Sequence, residues 1–414
     1  MAHLCNSDIL SLIFIDAFED TTSSMLPLLR SVNRAWFDVA GSTPQLWTRL
    51  VLNRKSDFTN LEYAQFYLQK SGGLPIDVQI ALPDDVDANE IGGVTALLRD
   101  QSSRFRSFDL HVRIHDELEA FVSSIGQGRP APLLEKLVLK IRECTESDSV
   151  TDFLSLPTAF TPSPRLAHIE LPGWPLPKTF PHLPTINSLT IDSMPFDSVA
   201  VDEIVSFLGS APSLRHFVFK GQDDFSYNIT SELDYPRIVS LPDLLTADVT
   251  APGAGADLLR AIKAPELTDV RLDGFRAHHF EGRWEESLTE PLSVTVRRLS
   301  ARSPNLRRLK LECTKFHAPL EDYALIFSSA GFPQLEEVLL IETDIDDQAL
   351  LAASGRPSSL KRLTLRECEK VTGAGLLGFV RGRGGDFSLT LQGCRNVRQQ
   401  DIVALSAIVK VYVQ

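Results

Sequence analysis

The stretch Pro304-Asn305-Leu306-Arg307-Arg308-Leu309-Lys310-Leu311 sets a frame that returns through most of the chain. With Pro at position 0, apolar residues stand at positions 2, 5 and 7. The frame recurs at Pro132 (Leu134, Leu137, Leu139), Pro164 (Leu166, Ile169, Leu171), Pro184 (Ile186, Leu189, Ile191) and Pro212 (Leu214, Phe217, Phe219). It returns at Pro242 (Leu244, Ala247, Val249), Pro265 (Leu267, Val270, Leu272), Pro333 (Leu335, Val338, Leu340) and, with Ser358 in place of proline, at Leu360, Leu363 and Leu365. Successive frames start 32, 20, 28, 30, 23, 39, 29 and 25 residues apart. One copy could arise by chance in a leucine-rich chain, but nine in one register define an internal repeat.

The frame has a simple physical reading. Alternation at positions 5 and 7 predicts a short strand with one face inward. The residue at position 2 packs beneath the turn leading into the strand, and the proline keeps the preceding helix from running on. One unit cannot bury its own apolar edge, whereas stacked copies pair their strands and pool their inward side chains in one core. The spacings match a leucine-rich repeat, the longer ones reading as repeats with insertions. The expected fold class is α/β: a short N-terminal three-helix segment over residues 1–52, then a leucine-rich-repeat solenoid over 53–414. Its curved parallel sheet would form the concave side, with helices and loops on the convex side. Repeats are degenerate over 53–130, where Phe105, Phe108 and Leu110 give an imperfect copy, and clearer over 131–414.

Composition narrows the function. Of 414 residues, 43% are hydrophobic and 23% charged, which are globular values. A net charge of -13 disfavours nucleic acid or an anionic membrane as partner. Cys5, Cys144, Cys313, Cys368 and Cys394 are odd in number and form no C-x-x-C pair, which argues against a disulfide framework or zinc site. The expected compartment is reducing, cytoplasmic or nuclear. No apolar run reaches the ~18 residues of a membrane span. The N-terminal run is interrupted by Asp8 and Asp16 and lacks the basic start of a signal peptide. There is no G-x-S-x-G, H-E-x-x-H or P-loop, and His278-His279 are adjacent rather than four apart, so both rings cannot face one metal from a helix. No catalytic residue, cofactor or metal is therefore assigned, and the chain is expected not to be an enzyme.

Residues 4–52 stand outside the repeat. Asn6 or Ser7 can cap a helix through Ile9, Leu10, Ile13, Phe14 and Phe18, whose apolar side chains cover most of its circumference. Such a helix needs two apolar surfaces to lie against, and the second can belong to another chain. A second helix is expected around Pro27–Val32, and a third over Ala35–Ala40 closed by Gly41. Thr43-Pro44-Gln45-Leu46-Trp47 and a strand at Leu50–Leu52 follow, then a helix over Phe58–Lys70 and a strand at Pro75–Ile80.

Leu4, Asp8-Ile9-Leu10, Ile13-Phe14, Leu28-Leu29, Val32-Asn33-Arg34, Trp36, Ala40 and the Thr43–Trp47 ending resemble, in order, the anchors of the F-box, with an ending like that of fungal F-box proteins. The resemblance implies docking on a Skp-type adaptor and, through it, a cullin. The chain would then be a non-catalytic, substrate-holding subunit of a ubiquitin ligase, its repeats binding a protein substrate. Leu4, Ile9, Leu10, Ile13, Phe14, Leu28, Val32 and Trp36 are the expected adaptor-binding residues, some of them also internal core. The competing reading is a leucine-rich-repeat interaction scaffold whose N-terminal helices only cap the first repeat.

Toward the C-terminus, Leu363–Leu376 and Leu389–Val397 resemble cysteine-containing leucine-rich repeats, a subclass often joined to F-boxes. There Cys368 and Cys394 are small core residues before they are redox sites. Positions 4, 6 and 8 face away from the core. They bring Arg271, Arg308, Lys310, Arg362 and Arg366 toward one surface, a candidate patch for an acidic or phosphorylated substrate segment, among Asp248, Asp269, Asp273, Glu312 and Glu337. The longest repeat spacing carries Phe280 and Trp284, and the 223–237 insertion carries Phe225, Tyr227 and Tyr235, which are candidate substrate anchors on loops; the competing reading places Phe280 and Trp284 on the inward side of an ordinary convex-side helix.

Overall fold

The computed structural model describes residues 7–19, 25–142, 156–172, 176, 180–192, 201–221, 238–250, 253–273, 285–383 and 386–413. They belong to two compact units, Met1–Thr185 and Ile186–Gln414.

The first unit opens with helices α1 (Ser7–Glu19), α2 (Met25–Val32) and α3 (Arg34–Ser42), a 3-10 turn at Pro44–Trp47 and strand β1 (Arg49–Leu52). Helices α4 (Lys55–Thr59) and α5 (Glu62–Lys70) lead to β2 (Ile76–Ala81), and α6 (Ala88–Arg99) to β3 (Phe105–Val112). Helix α7 (His115–Gly126), β4 (Lys136–Ile141) and β5 (His168–Pro172) complete it. The five strands lie side by side in chain order, all parallel.

Two local expectations need correction. The helix expected over Phe58–Lys70 is two helices, because the Asn60 side chain accepts from the Glu62 N–H at 2.9 Å and starts α5 afresh. Gly41 does not terminate α3 but lies in its last turn. The Thr43 hydroxyl donates to the Val39 carbonyl at 2.7 Å and the Trp47 indole N–H to the Ala40 carbonyl at 2.9 Å. Side chains thus satisfy the orphan carbonyls, and no left-handed glycine is required. At its start the Asn33 side chain accepts from the Trp36 N–H at 2.9 Å. Asn33→Ala is expected to cost about 1 kcal/mol of stability, read by urea unfolding.

A buried imidazole ties two repeats of this unit together. Ser163 Oγ lies 3.1 Å from His182 Nδ1, Thr161 Oγ1 lies 3.3 Å from Nε2, and Phe180 stacks edge-on at 5.2 Å. Burial lowers the His182 pKa, with a hydrogen bond to the Ala159 backbone opposing it in part. The folded state therefore prefers the neutral ring. The resulting stability is complete above the unfolded histidine pKa of about 6.5 and is lost as pH falls below it. Unfolding followed from pH 7.5 to pH 5 is expected to show a stability loss that His182→Asn reduces.

The second unit continues the pattern with β6 (Ser188–Asp192), α8 (Val201–Leu208), β7 (His216–Lys220), β8 (Val239–Ser240), β9 (Thr246–Thr250), α9 (Gly253–Ala261), β10 (Ile262–Lys263) and β11 (Asp269–Asp273). Next come α10 (Glu285–Arg302), β12 (Arg308–Glu312), α11 (Pro319–Ile326), β13 (Glu337–Ile341), α12 (Asp347–Ala353) and β14 (Arg362–Arg366). The last elements are α13 (Gly373–Val380), β15 (Ser388–Gln392), α14 (Gln399–Ser406) and β16 (Lys410–Val413). Apart from the short β8–β10 pair, its strands again run parallel in chain order.

Register follows the frame: Leu309 lies opposite Val270 and Val338, and Leu311 opposite Leu272 and Leu340. All twenty-seven residues at frame positions 2, 5 and 7 are buried, none more than 7% exposed. One strand per repeat, with like positions in register, is the geometry of a stacked parallel-sheet repeat.

The proline has a more specific role than stopping a helix. In seven frames the residue at position 2 donates its N–H to the carbonyl of the residue before the proline, as from Leu306 to Ser303 at 3.2 Å and from Leu214 to Ala211 at 3.1 Å. This is a β-turn with proline at its second position, where its fixed φ is preorganised. The residue before each proline, such as Ala131, Ser163, Ala264 and Phe332, is buried as well. At the other end of the strands, Cys313, Glu342, Glu367 and Gly393 each take positive φ directly after β12 to β15. The N–H groups of Cys313, Glu342 and Glu367 donate to the last carbonyl of the following strand. The repeated left-handed turn thus completes the ladder between neighbouring repeats.

Candidate docking surface on the N-terminal helices

Helix α1 carries two apolar faces. Leu10 and Phe14 point inward and are buried, with the Phe14 ring edge-on to Trp36 at 4.9 Å. Ser11 Oγ lies 3.0 Å from Thr43 Oγ1, joining α1 to the end of α3. Trp47, also buried, meets Phe66 and Tyr67 of α5 edge-on at 5.0 Å, which anchors the helices to the first repeat. The Arg30 guanidinium sits 4.4 Å above the Phe37 ring and 5.5 Å from that of Trp47.

Among the described residues the opposite face of α1 has no such cover. Ile9, Leu12 and Ile13 stand at i, i+3 and i+4, and each is more than half exposed. On α2, which touches α1, Leu28 and Val32 at i and i+4 are more than half exposed too. Each is already nearly half covered, so hiding the remainder gains roughly half of the ~1.5–3 kcal/mol of a whole side chain, and five together offer about 4–8 kcal/mol. That is comparable with the ~4–15 kcal/mol of freedom lost when two proteins associate.

The structure therefore divides the expected adaptor-binding residues. Ile9, Ile13, Leu28 and Val32 are presented outward, Leu10 and Phe14 belong to the core, Trp36 is half-buried against Phe14, and Leu4 lies outside the described residues. Leu12 and Phe37, both exposed, were missed. The signal for Leu12 was present, since it shares the Ile9–Ile13–Asp16 face while Leu10 and Phe14 share the other.

The expected substrate-binding cations do gather on one face, but they are paired. Arg271 reaches Asp248 at 3.3 Å, Asp273 at 3.2 Å and Glu312 at 3.3 Å, and Lys310 reaches Glu312 at 2.7 Å. Arg308 pairs with Asp269, Arg362 with Glu337 at 3.1 Å, and Arg366 with Glu367 at 3.4 Å. Burial alone would lower the Arg271 pKa, but the three carboxylates outweigh it and hold it above the ordinary value. Asp273 is raised by burial and by Glu312, whereas Glu312 is lowered because Lys310 and Arg271 outweigh its burial. Five cations thus face six carboxylates, and this surface is charge-compensated. Phe280, Trp284 and the 223–237 insertion lie outside the described residues.

Cys368 is buried, its thiol pushed up to about 11 by burial, and half-buried Cys394 is likewise raised. Both side chains make core contacts at the ends of strands, Cys368 with Thr343 at 3.7 Å and Cys394 with the Leu365 carbonyl at 3.5 Å. Among the described residues no group of three or more His, Cys, Asp or Glu side chains is placed to hold a metal ion. No helix there is long and apolar enough to cross a membrane.

No protein-family model matches the chain, and no curated protein does. Solved structures similar to it include a Bacteroides fragilis protein, at 15% identity and a TM-score of 0.35, covering 61% of this chain and 66% of that one. Another is a TLR13–ssRNA13 complex, at 14% identity and a TM-score of 0.37, covering 89% of this chain and 53% of that one. The chain thus spans less than two thirds of the length of either.

Proposed function

We propose that this chain is the substrate-recognition subunit of a Skp/cullin/F-box-type ubiquitin ligase. The observation that carries the reading is the outward apolar set Ile9, Leu12, Ile13, Leu28 and Val32 on two touching helices whose other faces are packed. A helix pair that only capped the first repeat would have no use for a second apolar face, whereas a docking module requires one. In this reading the α1–α2 face docks on a Skp-type adaptor and the leucine-rich-repeat solenoid holds a protein substrate. The chain contributes proximity, and the chemistry belongs to a ubiquitin-charged partner.

The compensated sheet face fits a substrate surface of mixed charge better than a purely acidic segment, which would have to displace Asp248, Asp273 and Glu312 from Arg271. Titration calorimetry of the purified chain against a Skp-type adaptor tests the proposal. Binding at micromolar Kd or tighter is the expected outcome. A folded chain that binds no adaptor would leave the interaction-scaffold reading.

A further inference from the structure

Helix α2 buries Leu26 and Leu29 and turns Leu28, Ser31 and Val32 outward, all three exposed. Ser31 follows Leu28 by three residues and precedes Val32, so its hydroxyl stands on the outer face beside the apolar side chains that docking would cover. Ser31 Oγ donates to the Leu28 carbonyl at 2.8 Å, a bond within its own turn that ties it to no other element. The other serines of α1 and α2 are placed differently. By the helix period Ser7 and Ser11 fall on the side of α1 away from Ile9 and Ile13, and Ser11 Oγ lies 3.0 Å from Thr43 Oγ1. Ser31 is thus the serine of the two helices that shares the docking face.

Its surroundings suit a protein kinase that selects serine beside arginine. In a chain of net charge -13, the sequence between Asp20 and Asp38 carries Arg30 and Arg34 and no acidic residue. The Arg34 side chain is 95% exposed, its Nε 4.0 Å from Asp38, and the Arg30 guanidinium lies over Phe37. Ser31 also belongs to the last turn of an eight-residue helix, which opens at little cost and offers an extended segment.

We propose that Ser31 is a phosphorylation site that switches off docking through the α1–α2 face, an inference that rests on the adaptor-docking reading. In the transfer, Ser31 Oγ bonds to the γ-phosphorus of ATP, the bond from that phosphorus to the β-phosphate oxygen breaks, ADP leaves, and the hydroxyl proton passes to the kinase's base. The phosphate brings a charge of about -1.5 to -2 at neutral pH. Between Leu28 and Val32 that charge loses its hydration when a partner covers the face. It adds to Asp16, which stands on the same side of α1 as Ile9 and Ile13. It also stands at the negative end of the α2 dipole, which loosens the turn that presents Val32.

The test uses this chain with phosphoserine installed at position 31 by codon suppression, titrated calorimetrically against a Skp-type adaptor. We expect binding at least tenfold weaker than that of the unmodified chain, with the urea unfolding transition retained. Ser406 supplies the control, being exposed in the last turn of α14 with its hydroxyl donating to the Ile402 carbonyl at 2.8 Å. Phosphoserine there should leave adaptor binding unchanged. Incubating the unmodified chain with ATP and an arginine-directed serine kinase should place phosphate on Ser31, located by tandem mass spectrometry, and weaken adaptor binding. Ser31→Ala should show the same affinity before and after that incubation. The inference is overturned if the unmodified chain binds the adaptor and the phosphoserine-31 chain binds it equally well. It is overturned too if the kinase leaves Ser31 bare, or if phosphate at Ser31 and at Ser406 weakens binding alike. A folded, unmodified chain that binds no adaptor overturns the docking reading instead, and the switch with it.

Discussion

Ile9→Asp and Ile13→Asp are each expected to leave the protein folded while lowering its affinity for a Skp-type adaptor at least a hundredfold. Both side chains are about half exposed on the outer face of α1, so in the free protein a carboxylate there stays hydrated. In the complex the same carboxylate would be desolvated without a partner, at a cost of several kcal/mol, beyond the lost burial of an isoleucine. Leu10→Asp is the contrasting case. Leu10 faces inward beside the core that holds Phe14, so aspartate there should unfold the N-terminal helices. Calorimetric titration, with circular dichroism and urea unfolding of each variant, separates the two effects. If Ile9→Asp and Ile13→Asp bound as tightly as the wild type, the outer face of α1 would not be the docking surface.

Leu311→Ala is expected to cost about 2–5 kcal/mol, whereas Lys310→Ala, one residue earlier, should cost no more than about 1 kcal/mol. Leu311 is fully buried and in register with Leu272 and Leu340, so truncation opens a cavity shared by three repeats. Lys310 lies on the opposite face of the same strand, where its Nζ is 2.7 Å from Glu312 and remains partly exposed. With two compact units the chain need not unfold in one step, so the effect is best read locally, by amide exchange across β11, β12 and β13. Near-equal costs at the two positions would contradict the one-strand-per-repeat assignment.

The strands were legible because the frame repeats a physical requirement, one apolar position beneath a turn and two alternating inward. What surrounds them was not. The residue before the proline is buried in every proline frame, yet it is Ala131, Ser163, Leu241 or Phe332 by turns. A position that accepts small, polar and aromatic side chains leaves no hydrophobic signature, and only the turn hydrogen bond reveals its role. The left-handed residues after the strands were hidden for the opposite reason. Only Gly393 is a glycine, while Cys313, Glu342 and Glu367 adopt positive φ despite their side chains.

At the candidate sites, the cations on the sheet face could be named from their frame positions, but not their pairing. Arg271 meets carboxylates 23 and 41 residues away, a match set by strand order and register. On α1, periodicity assigned an apolar helix but left its inner and outer faces unsorted. Asp16, on the Ile9–Leu12–Ile13 side, was the available marker.

The most direct measurement is amide hydrogen exchange on this chain with and without a saturating Skp-type adaptor. The proposal predicts slowed exchange across Ser7–Glu19 and Met25–Val32, with the sheet of the second unit unchanged. A folded chain whose α1 and α2 amides exchange identically in both states would contradict it.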